Sequence, residues 1–486
     1  MLHRVSFLTL CLGALAAVLL LNTQPQVQAK DKDEDAGTLI ELKPVILKHL
    51  VQSPYLTPME VIDGQEFEVG GKRSEVREKK GELELKLGSD KYPITSEGGM
   101  FAYEAKDVVY HVGVFPDELG RLYICSCDAM SADFDFGSLL FIDANFNGRY
   151  FDENEDLVAI GPSGGFGFVF QPEIPLIDAN YRFEVKNDGK KDLSVRFTRE
   201  EFRTQNQARE QHNAFNRMRM NFGLFPTLDN DEWNKNCQAH CQYMEDNDYF
   251  GHPEDPKTPG YTKEGHLAGT GPILSKGGSA VNGMLCMLGT PFHGWCMRAP
   301  WFTRAGFGAL DHLGAIYYRL KDYPDMPLPQ CSIFPPNNAT GVPIRWNGAE
   351  SPDPRAKPGQ DYGYPITFYN DWGANFSPSE MNAKLEVEVD GKWQEVPIQL
   401  SWQGGPVQPA EKPTGYTFIM SEGALRPNSL YRLTGNFKLK AQSKKVRVGK
   451  KKKSVKVPGG EGDFQTCFRT GAADVPANAW DTTQQR

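Results

Sequence analysis

Short runs of alternating apolar and polar residues fill the segment from Thr38 to Phe197. Turn signals such as Asp63-Gly64 separate them, and the runs read FEV, LELKL, DVVYHVGVF, RLYICSC, SLLFIDA, FGFVF, YRFEV and LSVRF. Alternation with a period of two places the apolar side chains on one face of a strand. The pattern predicts an antiparallel β domain over residues 38–197.

After this segment, apolar residues recur about every 3.6 residues, as in a helix, instead of every second residue. The sequence TREE, Thr198–Glu201, has the form of a capping box and predicts a helix that ends near Gly223. A second start at 229–232 precedes a stripe of residues at helical spacing, and Ser279 precedes a third apolar helix that Pro291 ends. The stripe consists of Trp233, Cys237, Cys241 and Met244.

The alternating pattern returns after Pro327 and continues to about residue 471. Its runs are VPIRW, YPITFY, LEVEVD, YTFIM, YRLTGNFKL, KKVRV and SVKV. This length and strand spacing favour an immunoglobulin-like β-sandwich over 328–471. Cys331 and Cys467 fall on its first and last strands, so a disulfide between them is expected. Residues 472–486 are expected to form a loose tail.

The first residues predict export. Residues 1–29 combine a basic start, an apolar run from Val5 to Leu21 and a small-x-small end at Val27-Gln28-Ala29, as in a secretory signal peptide. Residues 30–37 are a charged lead-in. An uncleaved signal anchor is the alternative. Since no later apolar run approaches 18 residues, no transmembrane segment is expected after cleavage. The localisation expected is secreted or cell-envelope, and the eight cysteines that remain suggest disulfides.

The net charge of −9 argues against nucleic acid as a partner, because the mean field of an acidic protein repels phosphates. The hydrophobic fraction of 40% and the charged fraction of 24% are those of an ordinary globular chain.

Four motifs in the middle of the chain carry a family resemblance. They are the turn GLFP, the helical Cys237-Gln-Ala-His240 with a following loop histidine at His252, the element GYTKEGHLAG, and the ending TPFHGWCMRAPWFTRAGFG. In this order they resemble the CAP superfamily, the cysteine-rich secretory and pathogenesis-related (SCP-like) fold, in its bacterial form. The resemblance covers about 110 residues and implies an α-β-α sandwich. PPNNATGVPIRW and YGYPIT resemble an immunoglobulin-like module that follows such domains in bacterial exported proteins.

The expected fold class is therefore multidomain α+β. An N-terminal antiparallel β domain over 38–197 is followed by a CAP-like α-β-α sandwich over 198–326 and an immunoglobulin-like β-sandwich over 328–471.

The resemblance also implies a cleft. Many members carry two histidines and two glutamates there, and some bind a divalent metal. His252 and His293 match the two histidines, and Glu264 or His266 would have to complete a three-ligand zinc site. The second glutamate has no counterpart, because the third helix reads SAVNGMLCMLG. The alternative is that the histidines hydrogen-bond within the cleft and organise its loops.

A second candidate metal site lies in the β domain. Oxygen-bearing side chains at alternate positions, followed by a glycine, resemble an EF-hand-type calcium loop. The candidate ligands are Asp143, Asn145, Asn147, Arg149, Asp152 and Glu155. The twelfth position is Asn154 rather than glutamate, and an Asx-rich turn that needs no ion is the alternative.

Basic residues crowd the segment 438–456, which predicts a hairpin with a lysine-rich tip. In an exported protein such a hairpin suggests contact with an anionic polysaccharide or an envelope component; a solvated hairpin edge is the alternative. The candidate anion-binding residues are Lys444, Lys445, Arg447, Lys450, Lys451, Lys452 and Lys453.

Nucleophilic catalysis finds little support in the sequence. Neither a Gly-x-Ser-x-Gly elbow nor a His-Glu-x-x-His motif occurs. Cys237 and Cys241 lie one helical turn apart, and each is a candidate to bridge to Cys286 or Cys296.

The sequence thus favours an exported, non-catalytic CAP-domain protein that binds an extracytoplasmic or envelope ligand through the cleft and the flanking β surfaces. Two alternatives stay open. One is a metal-dependent, peptidase-like hydrolase that uses His252, His293 and Glu264, and the other is a surface scaffold held by calcium and disulfides.

Overall fold

The computed structural model describes residues 37–473, with gaps at 57–58, 135, 162–164, 178, 188–192, 203–205, 272, 319–330, 347, 349, 352, 358, 371–377, 403–416, 449–450 and 458. The chain is mostly β, with several antiparallel sheets, and it has more than one domain, as predicted. The predicted signal peptide, most of the lead-in and residues 474–486 lie outside the described residues. No helix within the described ranges is long and apolar enough to cross a membrane.

The N-terminal part consists of antiparallel sheets. Its strands are β1 Thr38–Glu41, β2 Lys43–Ile46, β3 Met59–Glu60, β4 Glu66–Val69, β5 Lys72–Lys79, β6 Glu82–Leu87, β7 Asp90–Pro93, β8 Gly99–Ala105, β9 Val108–Pro116, β10 Leu122–Ser126, β11 Asp128–Phe134, β12 Gly137–Ile142, β13 Leu157–Ile160, β14 Gly167–Val169, β15 Glu173–Pro175, β16 Ala179–Asn187 and β17 Ser194–Glu201. They form sheets of order β1-β17-β16-β15, β3-β10-β9-β8, β14-β13-β12-β11-β2 and β4-β5-β6-β7.

The predicted capping box is wrong as a helix start. Residues 198–201 end β17 and pair with the first residues of β16, with Arg199 opposite Tyr181. The ladder to β16 satisfies backbone groups that a helix start would leave unpaired. The helix itself begins five residues later, at Asn206. It ends before Gly223, whose φ of +67° favours glycine, as the sequence indicated.

The central part contains all five helices of the described chain. Its elements are α1 Asn206–Asn221, β18 Leu228–Asp229, α2 Asp231–Asp246, α3 Lys263–Gly269, β19 Ile273–Lys276, α4 Ala280–Leu288, α5 His293–Met297, β20 Arg304–Leu310 and β21 Leu313–Tyr317. Asn230 and Ser279 cap α2 and α4 by accepting hydrogen bonds from the backbone N–H of Trp233 and Asn282. The strands form one sheet of order β18-β20-β21-β19.

Helices cover both faces of this sheet. The predicted stripe of α2 is buried and packs with Ala315 and Tyr317 of β21 on one face. Phe215 of α1 and Met284 of α4 pack with Phe307 of β20 on the other. Side chains of a strand alternate between its two faces, so Phe307 of β20 faces α1 and α4 while its neighbour Gly308 faces α2. A Cβ on Gly308 would lie 2.3 Å from the backbone carbon of Cys237, so α2 needs a glycine there.

The C-terminal part consists of two sheets and a hairpin. Its strands are β22 Cys331–Phe334, β23 Ala339–Val342, β24 Ile366–Asn370, β25 Glu380–Val389, β26 Lys392–Val396, β27 Ile398–Ser401, β28 Phe418–Ser421, β29 Leu430–Leu439, β30 Gln442–Val448, β31 Lys451–Val457 and β32 Gly460–Thr470. The sheets have the orders β22-β24-β28-β27 and β23-β32-β29-β25-β26. Phe368 of the first contacts Phe437 and Phe464 of the second, with ring centroids 5.1 and 5.4 Å apart.

The three parts contact each other through buried groups. The Tyr55 hydroxyl, from the N-terminal part, donates to the carbonyl of Pro300 at 2.9 Å and accepts from the N–H of Phe225 at 2.8 Å. The Trp295 indole donates to the carbonyl of Phe368 at 3.0 Å, and one apolar cluster runs from α1 to β32. The central helices therefore share their core with the C-terminal sheets.

The cysteine pairings expected from the sequence are not formed. No disulfide joins any of the eight cysteines, all of which lie within the described residues. Cys331 and Cys467 do lie on the first and last strands of the C-terminal part, but those strands belong to different sheets. The Sγ atom of Cys467 instead contacts Asn337 Oδ1 at 3.0 Å.

Geometry also rules out the bridges proposed for the α2 cysteines. Cys237 and Cys241 pack on one face of the central sheet, whereas Cys296 packs in the cluster on the other. Cys286 lies on α4, which also belongs to that second face. A bridge would have to pass through the sheet.

Candidate functional site

His293 is held by an acid that comes from the C-terminal part of the chain. It is the first residue of α5, and Glu350 follows β23. Glu350 Oε1 lies 2.8 Å from both the backbone nitrogen and Nδ1 of His293, and 3.0 Å from the nitrogen of Phe292. The carboxylate is fully buried, and it accepts the N–H groups that a helix start leaves unpaired. Nδ1 of His293 therefore donates, and Nε2 is the nitrogen available to a ligand.

The ring of His252 is held in the same way as that of His293, by a hydrogen bond from Nδ1. Its Nδ1 lies 3.1 Å from the carbonyl oxygen of Gly269, so Nδ1 donates and Nε2 of the neutral ring is an acceptor. Burial lowers the pKa of His252, and the charges of His293 and His240 lower it further. The charge of His293 thus acts on the ring of His252.

A buried pair lies behind His252 and fixes its loop. His240 Nδ1 is 2.9 Å from Glu254 Oε1, and His240 Nε2 is 3.1 Å from the carbonyl oxygen of Gly251. Glu254 Oε2 accepts the N–H of Thr262, the N-cap residue of α3. Because both side chains of the pair are fully buried, they join α2, the His252 loop and α3 rigidly.

The other two predicted cleft residues do not join the histidines as metal ligands. Glu264 is exposed on the first turn of α3, and Nδ1 of His266 lies 3.2 Å from the backbone oxygen of Glu254. Across the described ranges, no three His, Cys, Asp or Glu side chains form a group that could hold a metal ion. The residues present therefore do not fit the zinc site that the resemblance implies.

The sequence analysis missed Glu254 and Glu350. Glu350 lies 57 residues beyond His293, in a segment predicted to belong to another domain, so no local pattern could associate the two. Glu254 follows His252 by two residues, and its proximity was visible, but only the fold shows that it points to α2.

The predicted calcium loop closes on its own hydrogen bonds. Asp143 accepts the N–H groups of Asn147 at 3.0 Å and Gly148 at 2.7 Å, and Asp156 accepts those of Ala144 and Asp152. The side-chain amides of Asn145 and Asn147 both face Oδ2 of Asp152, which Arg149 also contacts at 3.0 Å, and Asn145 contacts Glu155 at 2.8 Å. These contacts are those of an Asx-rich turn. The calcium site stays a prediction.

Burial raises the pKa of Asp143 to about 7 and that of Asp156 to about 8. The charges of neighbouring aspartates contribute in the same direction in both cases. The loop therefore places two carboxyl groups where their charged forms are disfavoured.

The predicted basic hairpin forms. Strands β30 and β31 pair antiparallel from Gln442 opposite Val457 to Val448 opposite Lys451. Lys450 lies outside the described residues, as do the side chains of Lys444, Lys445, Arg447, Lys451, Lys452 and Lys453. Anion binding there stays a prediction.

No family model matches this chain, and no curated protein matches it. A similar solved structure is that of an extracellular protein containing an SCP domain from Bacillus anthracis strain Ames. It is 13% identical, covers 47% of this chain and 87% of its own, and gives a TM-score of 0.20. A likeness at that TM-score carries no argument about the fold or the function of this chain.

Proposed function

We propose that this chain is an exported binding protein whose CAP-like domain takes a hydroxyl-bearing extracytoplasmic ligand in the cleft of His252 and His293. The observation that carries the proposal is that both imidazole rings are held by a hydrogen bond from Nδ1. Each donates from Nδ1, to Gly269 or to Glu350, and so presents Nε2 as an acceptor when the ring is neutral. Two pre-oriented acceptors favour ligands rich in hydroxyl or amide donors, such as polysaccharides.

The surroundings of the histidines favour binding over catalysis. Within the described ranges, the cleft histidines have no third ligand for a metal. Cys237 and Cys241, the thiols nearest in sequence to His240, are buried in an apolar cluster, and burial raises the pKa of Cys241 to about 12. A thiol that stays protonated is a poor nucleophile.

Two exposed apolar side chains lie close in sequence to His252 and to Gly269, the residue that accepts its hydrogen bond. Phe250 precedes His252 by two residues, and Leu267 lies on α3, two residues before Gly269. An aromatic or aliphatic side chain beside polar groups suits the apolar face of a sugar ring. The basic hairpin would extend such a surface toward anionic polysaccharides.

Affinity electrophoresis through gels that contain dextran, alginate or heparin tests the proposal. We expect retardation by at least one of these, with affinity reduced at least about tenfold in His252→Ala and His293→Ala, a loss of about 1.4 kcal/mol. His312→Ala, on the turn between β20 and β21, is the matched control and should bind as the wild type does. The proposal would be contradicted if the wild type and all variants were retarded equally, or if none of the proteins were retarded.

A further inference from the structure

A cavity of about 500 Å³ lies in the N-terminal β domain. Its walls come from β2, the turn before β9, the beginnings of β9 and β11, the loop that begins at Asp143, and the end of β16. None of its lining residues belongs to the cleft of His252 and His293. Its volume falls in the range of small-molecule sites, about 300–1,000 Å³.

The mouth of this cavity is apolar and exposed. Ile46, Val109 and Val185 line it and are 44%, 50% and 37% exposed. These are high values for large apolar side chains, and grouping them around one opening concentrates apolar surface that a ligand could cover.

Acidic side chains outnumber basic ones in the lining of this cavity. Asp128 accepts from the N–H of His111 at 2.8 Å with one oxygen and from His111 Nδ1 at 2.7 Å with the other, so its carboxylate cannot turn. Asp107, Asp143 and Asp152 also line the cavity. The lining contains one arginine, Arg149, and its guanidinium is already 3.0 Å from Asp152.

Aromatic rings lie among these acids. Tyr110, Tyr150 and Phe151 line the same space. Carboxylates and aromatic faces together are the surroundings that a desolvated organic cation prefers, because both present negative potential to it.

We propose that this cavity binds a small organic cation, an ammonium group carried on an apolar body. The ammonium group pairs with the carboxylates of the interior. The apolar body lies against the exposed side chains of Ile46, Val109 and Val185 at the mouth.

Calorimetric titration of the full chain with three probes of one size tests the proposal. The probes are phenethylamine, its neutral analogue 2-phenylethanol and the anion 3-phenylpropanoate, each titrated at neutral pH in the presence of a chelator. We expect the amine to bind, the alcohol to bind at least about tenfold more weakly, and the anion most weakly, because only the amine gains the charge pairing. Equal affinity for amine and alcohol, or no binding of the amine at millimolar concentration, would overturn the proposal.

A pair of variants locates the binding. Val109→Arg places a cation at the mouth, whereas Ile62→Arg makes the same change at a residue that is 52% exposed and does not line the cavity. We expect the first to weaken amine binding at least about tenfold and the second to leave it unchanged. Equal effects of the two variants would refute this location. His293→Ala should leave amine binding unchanged, so this result is independent of the proposed function of the cleft.

Discussion

Nδ1 of His293 lies 2.8 Å from Oε1 of Glu350, although 57 residues separate them along the chain. The same carboxylate accepts the backbone N–H groups of Phe292 and His293. One fully buried carboxylate thus orients the ring of His293 and also accepts the backbone N–H groups at the start of α5.

Glu350→Gln should therefore destabilise the protein. The substitution removes the charge from three hydrogen bonds, and we expect the free energy of unfolding to fall by about 2 kcal/mol. Urea unfolding measures it. Glu395→Gln is the control, because Glu395 is 71% exposed and its contact with Lys384 is long, at 3.9 Å. Equal losses in the two variants would show that burial of Glu350 contributes nothing.

The stability of the protein should fall in acid partly through His212. This ring is stacked between Phe202 and Phe307, with centroids 4.3 Å from each, and burial lowers its pKa to about 4. The unfolded chain, with a pKa of about 6.5, takes up the proton first as the pH falls. The stability that the neutral His212 ring contributes is therefore fully present above pH 6.5 and is lost as the pH falls from about 6.5 to about 4. The free energy of unfolding decreases by roughly 3 kcal/mol over this range.

Urea unfolding at a series of pH values, for the wild type and His212→Phe, isolates this contribution. The variant keeps a ring between Phe202 and Phe307 but cannot take up a proton. Its free energy of unfolding should decline less steeply below pH 6.5 than that of the wild type. Parallel pH profiles would mean that His212 is not neutral in the folded protein.

Gly308→Ala should displace α2 from the central sheet. The added Cβ would lie 2.3 Å from the carbon and 2.6 Å from the oxygen of the Cys237 backbone, and a helix backbone cannot move aside as a side chain can. We expect a loss of about 3 kcal/mol in the free energy of unfolding. Gly278→Ala is the control, since its Cβ would meet nothing closer than 3.8 Å. Indistinguishable thermal midpoints for the two variants would contradict the packing described here.

The cysteines should behave as thiols. Burial raises the pKa of Cys241 to about 12, so we expect iodoacetamide to label it only after unfolding. Mapping of peptides under non-reducing conditions should return the peptides of Cys331 and Cys467 separately. A single cross-linked peptide would restore the disulfide that the sequence suggested.

Calcium should leave the stability of the 143–156 loop unchanged. The carboxylates of Asp143 and Asp156 already accept backbone N–H groups, so the loop closes without an ion. We expect the same thermal midpoint in excess calcium and in excess chelator. A midpoint raised by calcium would instead establish the metal site that the spacing of its oxygen-bearing residues predicts.

Local signals predicted local structure well. The cap at Ser279, the buried stripe of α2 and the hairpin of β30 and β31 all depend on residues a few positions apart, and the structure contains each of them. The box predicted at 229–232 lies at the start of α2, but the residue that caps the helix is Asn230. The capping box at 198–201 failed because pairing with β16, a tertiary contact, competes with a local preference.

The cleft could be predicted only in part. The two histidines lie in recognisable motifs, but the acids that orient the cleft come from Glu254 and Glu350. The second of these depends on the docking of a separate β segment, which no spacing within the central motifs encodes.

The contact between Glu350 and α5 also affects when α5 can form during synthesis of the chain. When the chain is synthesised, residues 293–297 emerge long before residue 350, so α5 must wait for the carboxylate that caps it. Nδ1 of His293 therefore gains its carboxylate partner only after residue 350 has been added. A chain whose synthesis stops before residue 350 would contain His252 and His293 but lack the carboxylate that orients His293.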